Sequence, residues 1–131
     1  MKKLFVSVPM VGRSDEAIRE SISRMKKIAE AYWNQEFEVI DTMAERNCPE
    51  CKNKRLWYLG GSIQMMCDAD YFIGVETAGV YHIWERFPGV LVEECVARDY
   101  GIEMFLLPFK EICPDVYMQD YTIRNYNNGC F

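Results

Sequence analysis

Four short apolar runs, separated by longer segments with helical periodicity, constrain the fold of this chain most strongly. The runs are KLFVSV at 3–8, FEVI at 37–40, DYFIGV at 70–75 and IEMFLLP at 102–108. Strands that alternate with helices form βαβ units with right-handed crossovers and a parallel sheet. The sequence therefore predicts an α/β fold: a single three-layer, doubly wound domain over residues 1–131 with a mainly parallel, Rossmann- or flavodoxin-like sheet.

The last helical pattern, FPGVLVEECVARDYGI at 87–102, carries an acid at the edge of its apolar face. We expect this helix to present four residues to the core: Val92, Val96, Ala97 and Tyr100. Glu93 falls in its first turns, after Pro88 and Gly89. Such a glutamate either favours the helix N-terminus as a surface charge or serves as a catalytic nucleophile. The periodicity alone does not separate these two interpretations.

Charge and hydropathy exclude several classes of partner. The formal net charge of −5 argues against a protein that binds duplex nucleic acid, which needs a basic face to neutralise phosphates. No apolar stretch approaches the roughly 20 residues that span a bilayer. The apolar run that begins in MKKLFVSVPM is broken by Pro9 and then by Gly12 and Arg13. We therefore interpret it as a strand and not as a signal peptide. A cytoplasmic protein without a membrane partner is expected.

The six cysteines do not form a complete metal-binding pattern. Cys48 and Cys51 form CPEC, which is half of a zinc site, but no second C-x-x-C motif follows. Cys67 and Cys95 fall in helical patterns, and we expect them to be small core residues. The sequence therefore predicts neither a bound metal nor a cofactor.

Three stretches should meet at the edge of the sheet where ligands bind in open α/β folds, beyond the carboxyl ends of the strands. They are SVPMVGRS after the first strand, GVETAGV after the third, and the start of the last helix at Gly89. The first of these stretches also contains Ser14, a good N-cap for a helix over 14–33, which the spacing of its apolar residues predicts. We expect candidate binding residues here.

These stretches resemble the nucleoside 2-deoxyribosyltransferase superfamily, particularly its small bacterial and phage members. The resemblance covers residues 3 to about 107 and rests on LFVSVPMVG, LWYLGGSIQMMCDADYFIGV and GVLVEECVARDYGI. The last contains the G-x-x-x-E spacing of that family, from Gly89 to Glu93. The resemblance implies an enzyme that takes a small-molecule nucleoside or nucleotide, and a homo-oligomer. Residues 108–131, beyond the resemblance, are expected to form an irregular tail at an oligomer interface.

The resemblance also implies roles for particular residues. Glu93 would attack the anomeric carbon of a 2-deoxyribose and displace the base, and Asp70 would help to hold the nucleoside. The loop after the first strand would lie near the sugar or its 5′ end. Independently of the resemblance, the free N–H groups at the start of the first helix can take a 5′-phosphate, and Arg13 would then select nucleotides over nucleosides. The predicted catalytic residues are Glu93 and Asp70, and the predicted substrate-binding residues are Ser7, Pro9, Met10, Gly12, Arg13, Ser14 and Gly89.

Departures from the family pattern leave alternatives open. Phe5 stands where many characterised members carry a tyrosine, and Val8 stands where a glycine is common. The chain is therefore expected to be a deoxyribosyltransferase or an N-glycosidase of deoxynucleoside 5′-monophosphates, or else a non-catalytic module that binds or sequesters a nucleotide on the same fold. A third interpretation is a purely structural protein.

Overall fold

The computed structural model describes residues 1–78, 80 and 83–116 of the chain. Its centre is a sheet of four strands: β1 (Lys2–Val6), β2 (Phe37–Val39), β3 (Tyr71–Val75) and β4 (Glu103–Leu107). The strands are all parallel and lie in the order β2-β1-β3-β4. The α/β prediction is confirmed, and the strand order is that of flavodoxin-like sheets.

Five helices connect and extend the strands. They are α1 (Asp15–Trp33), α2 (Lys54–Met65), α3 (Ile83–Arg86), α4 (Pro88–Asp99) and α5 (Phe109–Ile112). A 3₁₀ turn at Met66–Asp68 continues α2. The short helix α3 lies in the connection between β3 and α4. The predicted tail begins with α5, and its remainder, 117–131, lies outside the described residues.

Helices cover both faces of the sheet, which gives the three layers. On one face, α1 packs its apolar side on β1 and β3; this cluster includes Leu4, Val6, Ile18, Met25, Ala29 and Ile73. On the other face, α4 and the end of α2 pack against Phe5 and Phe72, whose rings stack with centroids 5.7 Å apart. The alternation of side chains along β1 therefore sends Phe5 and Ser7 toward α2 and α4.

The inward face of α4 differs from the predicted one. Tyr100 is 83% exposed and Val92 is 39% exposed. The buried residues are Val90, Glu93, Glu94 and Ala97. The helix ends at Asp99, and Gly101 has a φ of +74°, so the helical spacing does not extend to Tyr100. The true inward face contains two acids, and burial of acids requires partners that periodicity does not reveal.

The predictions that Cys67 and Cys95 lie in the core are wrong, since both are exposed. Cys67 lies in the 3₁₀ turn after α2, where the helical spacing is interrupted. Cys95 lies on the side of α4 away from its buried residues. None of the described helices combines the length and apolar character needed to cross a bilayer.

Candidate functional site

A pocket of about 550 Å³ opens beyond the carboxyl end of β1, between α2 and α4. It lies beside the point where the chain order of the sheet reverses between β1 and β3, which is where ligands bind in open parallel sheets. Four of the predicted site residues line it: Pro9, Met10, Gly89 and Glu93. The structure therefore brings the loop after β1 and the start of α4 together, as the sequence predicts.

Glu93 lies in the wall of this pocket and is held by Ser7. The Ser7 hydroxyl donates a hydrogen bond of 2.7 Å to Oε1 of Glu93, and both residues are buried. Ser7 directly follows β1, and its backbone N–H donates to the carbonyl of Ile73 on β3 at 2.9 Å. Because the sheet fixes the serine backbone, the carboxyl group of Glu93 is fixed in turn.

Burial raises the pKa of Glu93 to about 7, although the hydrogen bond from Ser7 and the positive charge of Arg46 both act to lower it. The helix N-terminus does not offset this effect of burial. Glu93 is the sixth residue of α4, beyond the first turn in which the free N–H groups and the dipole act. Near neutral pH the carboxyl group therefore exists in both protonation states.

The next residue, Glu94, is also buried but has a different environment. Thr77 donates to its Oε1 at 3.0 Å, and Arg98 contacts its Oε2 at 3.1 Å. Glu94 does not line the pocket. Of the two adjacent acids of α4, Glu94 therefore forms an ion pair and Glu93 faces the pocket.

Arg13 does not bind a ligand in the way that we predicted. Its side chain is 1% exposed and makes two hydrogen bonds of 2.8 Å to the carboxylate of Asp115. It also donates to the carbonyl of Pro9 and to the hydroxyl of Ser21, each at 2.8 Å. The hydrogen bond from Arg13 holds the pKa of Asp115 below its usual value. Arg13 therefore ties the loop after β1 to residue 115, and it does not line the pocket.

The predicted binding residues Gly12 and Ser14 have local roles. Gly12 has a φ of +76° in a turn closed by a bond of 3.1 Å from the N–H of Arg13 to the carbonyl of Met10. Ser14 is the N-cap of α1, as predicted, and accepts from the N–H of Ala17 at 3.1 Å. Neither residue lines the pocket.

Asp70 lies at the other edge of the sheet from Glu93. It directly precedes β3, and its carboxylate accepts a hydrogen bond of 2.8 Å from the backbone N–H of Lys3. Five strand residues, at about 3.3 Å each, separate it from the carboxyl end of β3. The prediction that Asp70 shares a site with Glu93 is thus wrong within this chain, because a residue that opens a parallel strand lies at the amino edge.

Arg46 is a pocket residue that the sequence interpretation missed. Its Nη1 donates to the carbonyl of Tyr58 at 3.2 Å, and its guanidinium lies 5.2 Å from the centre of the Tyr58 ring. A Cβ at Gly61 would overlap Nη1 of Arg46, so this glycine inside α2 is what lets the guanidinium approach the helix. The pair of glycines inside a helical pattern was the available signal.

Cys48 and Cys51 lie in the loop before α2, with their sulfur atoms 4.0 Å apart. Among residues 1–78, 80 and 83–116, no group of three or more histidine, cysteine, aspartate or glutamate side chains is placed to hold a metal ion.

The pocket combines one carboxyl group that titrates near neutrality with apolar walls and two arginines, Arg46 and Arg55. Such a carboxyl group can act as a nucleophile when ionised or donate a proton when neutral. Comparison with protein-family models, with curated proteins and with solved structures finds no match. The likeness to nucleoside 2-deoxyribosyltransferases therefore stays a prediction that rests on the residues themselves.

Proposed function

We propose that this protein binds a deoxynucleoside or its 5′-monophosphate in the pocket and cleaves or exchanges the N-glycosidic bond through Glu93. The observation that carries the proposal is the buried carboxyl group of Glu93, held by Ser7 in the wall of a pocket at the carboxyl ends of the strands. The volume of about 550 Å³ falls in the range of small-molecule sites. Gly89 and Glu93, which carry the spacing of the resembled family, both line this pocket.

In the proposed reaction, a carboxylate oxygen of Glu93 attacks C1′ of the sugar while the bond from C1′ to the base nitrogen breaks. The electron pair of that bond goes to the base, which takes up a proton from water and leaves. The sugar has oxocarbenium character during this step and ends as an ester of Glu93. Water then attacks C1′, loses a proton and releases the sugar and the free carboxylate. An acceptor base in place of water gives exchange.

The environment of Glu93 suits a carboxylate nucleophile. Because its pKa is raised to about 7, a substantial fraction is ionised and nucleophilic at neutral pH. The same burial makes the carboxylate less solvated than a surface acid, so it is a stronger nucleophile toward a cationic carbon. The Ser7 hydroxyl occupies Oε1, which leaves Oε2 for the sugar.

A second candidate function is a module that binds the same nucleotide without turnover. One observation favours it: among the described residues that line the pocket, Glu93 is the single carboxylate. Asp70, the second acid that we predicted, lies at the opposite edge of the sheet. A pocket with one acid has no second acid to protonate the departing base. Cleavage of the N-glycosidic bond needs such a proton, whereas binding without turnover does not.

The test is release of free base, followed by HPLC, from the common deoxynucleosides and their 5′-monophosphates, with and without an acceptor base. We expect turnover by the wild-type protein and its loss in Glu93→Gln. Glu94→Gln is the matched control, because it changes the adjacent buried acid outside the pocket. No release from any substrate, together with thermal stabilisation by a nucleotide, would support the binding module instead.

The partners follow from the same proposal. The ligand is a small nucleoside or nucleotide, and duplex nucleic acid is not a partner of a chain with a net charge of −5. We also propose a homo-oligomer, as the resemblance implies. Exposed apolar side chains at the pocket support it: Val11, Leu56, Tyr58 and Val92. Light scattering coupled to size-exclusion chromatography tests this part, and a monomer would contradict it.

A further inference from the structure

We propose that Arg46 and Arg55 bind the phosphate of the substrate, which makes the ligand a nucleoside 5′-monophosphate and not a nucleoside. This inference rests on the proposed function and names the substrate class of the same site. Both arginines line the pocket that contains Glu93. Arg13, for which we predicted this role, is occupied by Asp115.

The guanidinium of Arg46 is incompletely hydrogen-bonded. Its Nε is buried and has no hydrogen-bond partner within the described part of the chain. The one acceptor that its guanidinium meets there is the carbonyl of Tyr58. A buried donor without a partner is costly, so such a group in a pocket wall indicates an acceptor that arrives with the ligand.

The charge of the pocket also favours a phosphate. Among the ion pairs of the described residues, none involves Arg46 or Arg55. Two arginines without carboxylate partners leave a positive wall in a protein whose net charge is −5. Phosphate is the anion that fits best, because guanidinium groups present several donors in a plane and bind phosphate oxygens in pairs.

Arg46 and Glu93 line the same pocket. The charge of Arg46 is near enough to act on the carboxyl group, yet the two side chains form no ion pair in the described structure. A nucleotide requires this arrangement, since its phosphate is attached at C5′ and its base at C1′, across the width of the sugar. A carboxylate at C1′ and a cation at the phosphate must therefore share a pocket without contact.

The experiment compares dissociation constants, measured by calorimetry, for each deoxynucleoside, its 5′-monophosphate and inorganic phosphate. We expect the monophosphate to bind at least about tenfold more tightly than the nucleoside, and Arg46→Gln to remove that preference. Arg55→Gln should reduce it too, and the exposed position of Arg55 means that this variant tests the proposal even where Arg46→Gln folds poorly. Lys54→Gln removes the same charge from the adjacent residue, which does not line the pocket, and should leave the preference unchanged.

The outcomes separate this inference from the proposed function. A monophosphate preference that depends on Arg46 or Arg55 supports the phosphate site even where no base is released. Base release with equal affinity for nucleoside and monophosphate would support the reaction and overturn the phosphate site. A monophosphate preference that both arginine variants retain would overturn it as well, and so would binding of neither ligand class.

Discussion

The Ser7 hydroxyl donates a hydrogen bond of 2.7 Å to Oε1 of Glu93 and so joins the end of β1 to the inner face of α4. The bond explains how α4 can bury an acid on a face that otherwise packs against the sheet, because a buried carboxyl group needs a donor. It also fixes which oxygen remains open to a ligand.

The activity should rise with pH through about 7, because the ionised form of Glu93 is the nucleophile and burial raises its pKa to about 7. Ser7→Ala removes a hydrogen bond that lowers this pKa, so the rising limb of the pH profile of kcat/KM should move to higher pH. The measurement is kcat/KM as a function of pH for both proteins. A limb that stays in place in Ser7→Ala would show that the serine does not set the ionisation of Glu93.

Glu93→Gln should be more stable than the wild-type protein at pH 8. The pKa of Glu93 is raised from 4.5 in the unfolded chain to about 7 in the folded state, so the folded state binds more protons between these values. Stability of the wild type therefore falls as pH rises from 4.5 to 7 and is constant above, a loss of order 3 kcal/mol at most. Urea unfolding at pH 4 and pH 8 measures it. Equal pH dependence in wild type and variant would contradict the burial of this acid.

Asp115→Asn should lower the stability and leave the preference for monophosphates unchanged. The variant weakens the paired hydrogen bonds with Arg13, and since Asp115 is 38% exposed we expect a cost of about 1 kcal/mol. The pKa of Asp115 is lowered in the folded state, so its contribution is present above the unfolded value and is lost as pH falls through the folded one. Thermal unfolding and nucleotide titration measure the two effects. A loss of the preference for monophosphates would mean that Arg13 contributes to phosphate binding.

Gly61→Ala should weaken the binding of a 5′-monophosphate without a loss of stability. Its methyl group would overlap Nη1 of Arg46 and displace the guanidinium, while alanine is favoured over glycine inside a helix by about 1 kcal/mol. Gly60→Ala is the matched control, because a Cβ there meets no atom within 4 Å. Nucleotide titration and thermal unfolding of both variants measure the difference. Equal affinities would mean that the position of Arg46 is not important for binding.

The sheet could be predicted from the sequence because buried parallel strands appear as short apolar runs, and all four runs form strands. The residues that α4 buries could not be predicted in this way. Periodicity places Glu93 at the edge of the apolar face and gives no reason to bury Glu94. The burial of these acids depends on partners 86 and 17 residues away in the chain, Ser7 and Thr77. Such long-range contacts are absent from a local pattern.

Site residues could be predicted where their position relative to a strand determines their location. They could not be predicted where contacts between distant side chains determine it. Pro9, Met10 and Gly89 follow from the rule that ligands bind beyond the carboxyl ends of strands. The same rule, applied to Asp70, would have excluded it, because the residue precedes its strand. The phosphate role of Arg13 was wrong because its partner, Asp115, lies 102 residues further along the chain. Arg46 was missed because its polar loop does not show which cation lies at the pocket, and the available signal, the glycine pair with Gly61, lies in α2.

The most direct test of the central claim is the intact mass of the protein after brief incubation with a 2′-fluorinated deoxynucleoside 5′-monophosphate, whose electron-withdrawing fluorine slows loss of the sugar from the enzyme. Our account predicts a mass increase equal to one fluorinated sugar phosphate, located by peptide mapping on Glu93, present in Glu94→Gln and absent in Glu93→Gln. An unchanged mass in a protein that also releases no base from the natural nucleotides would contradict it.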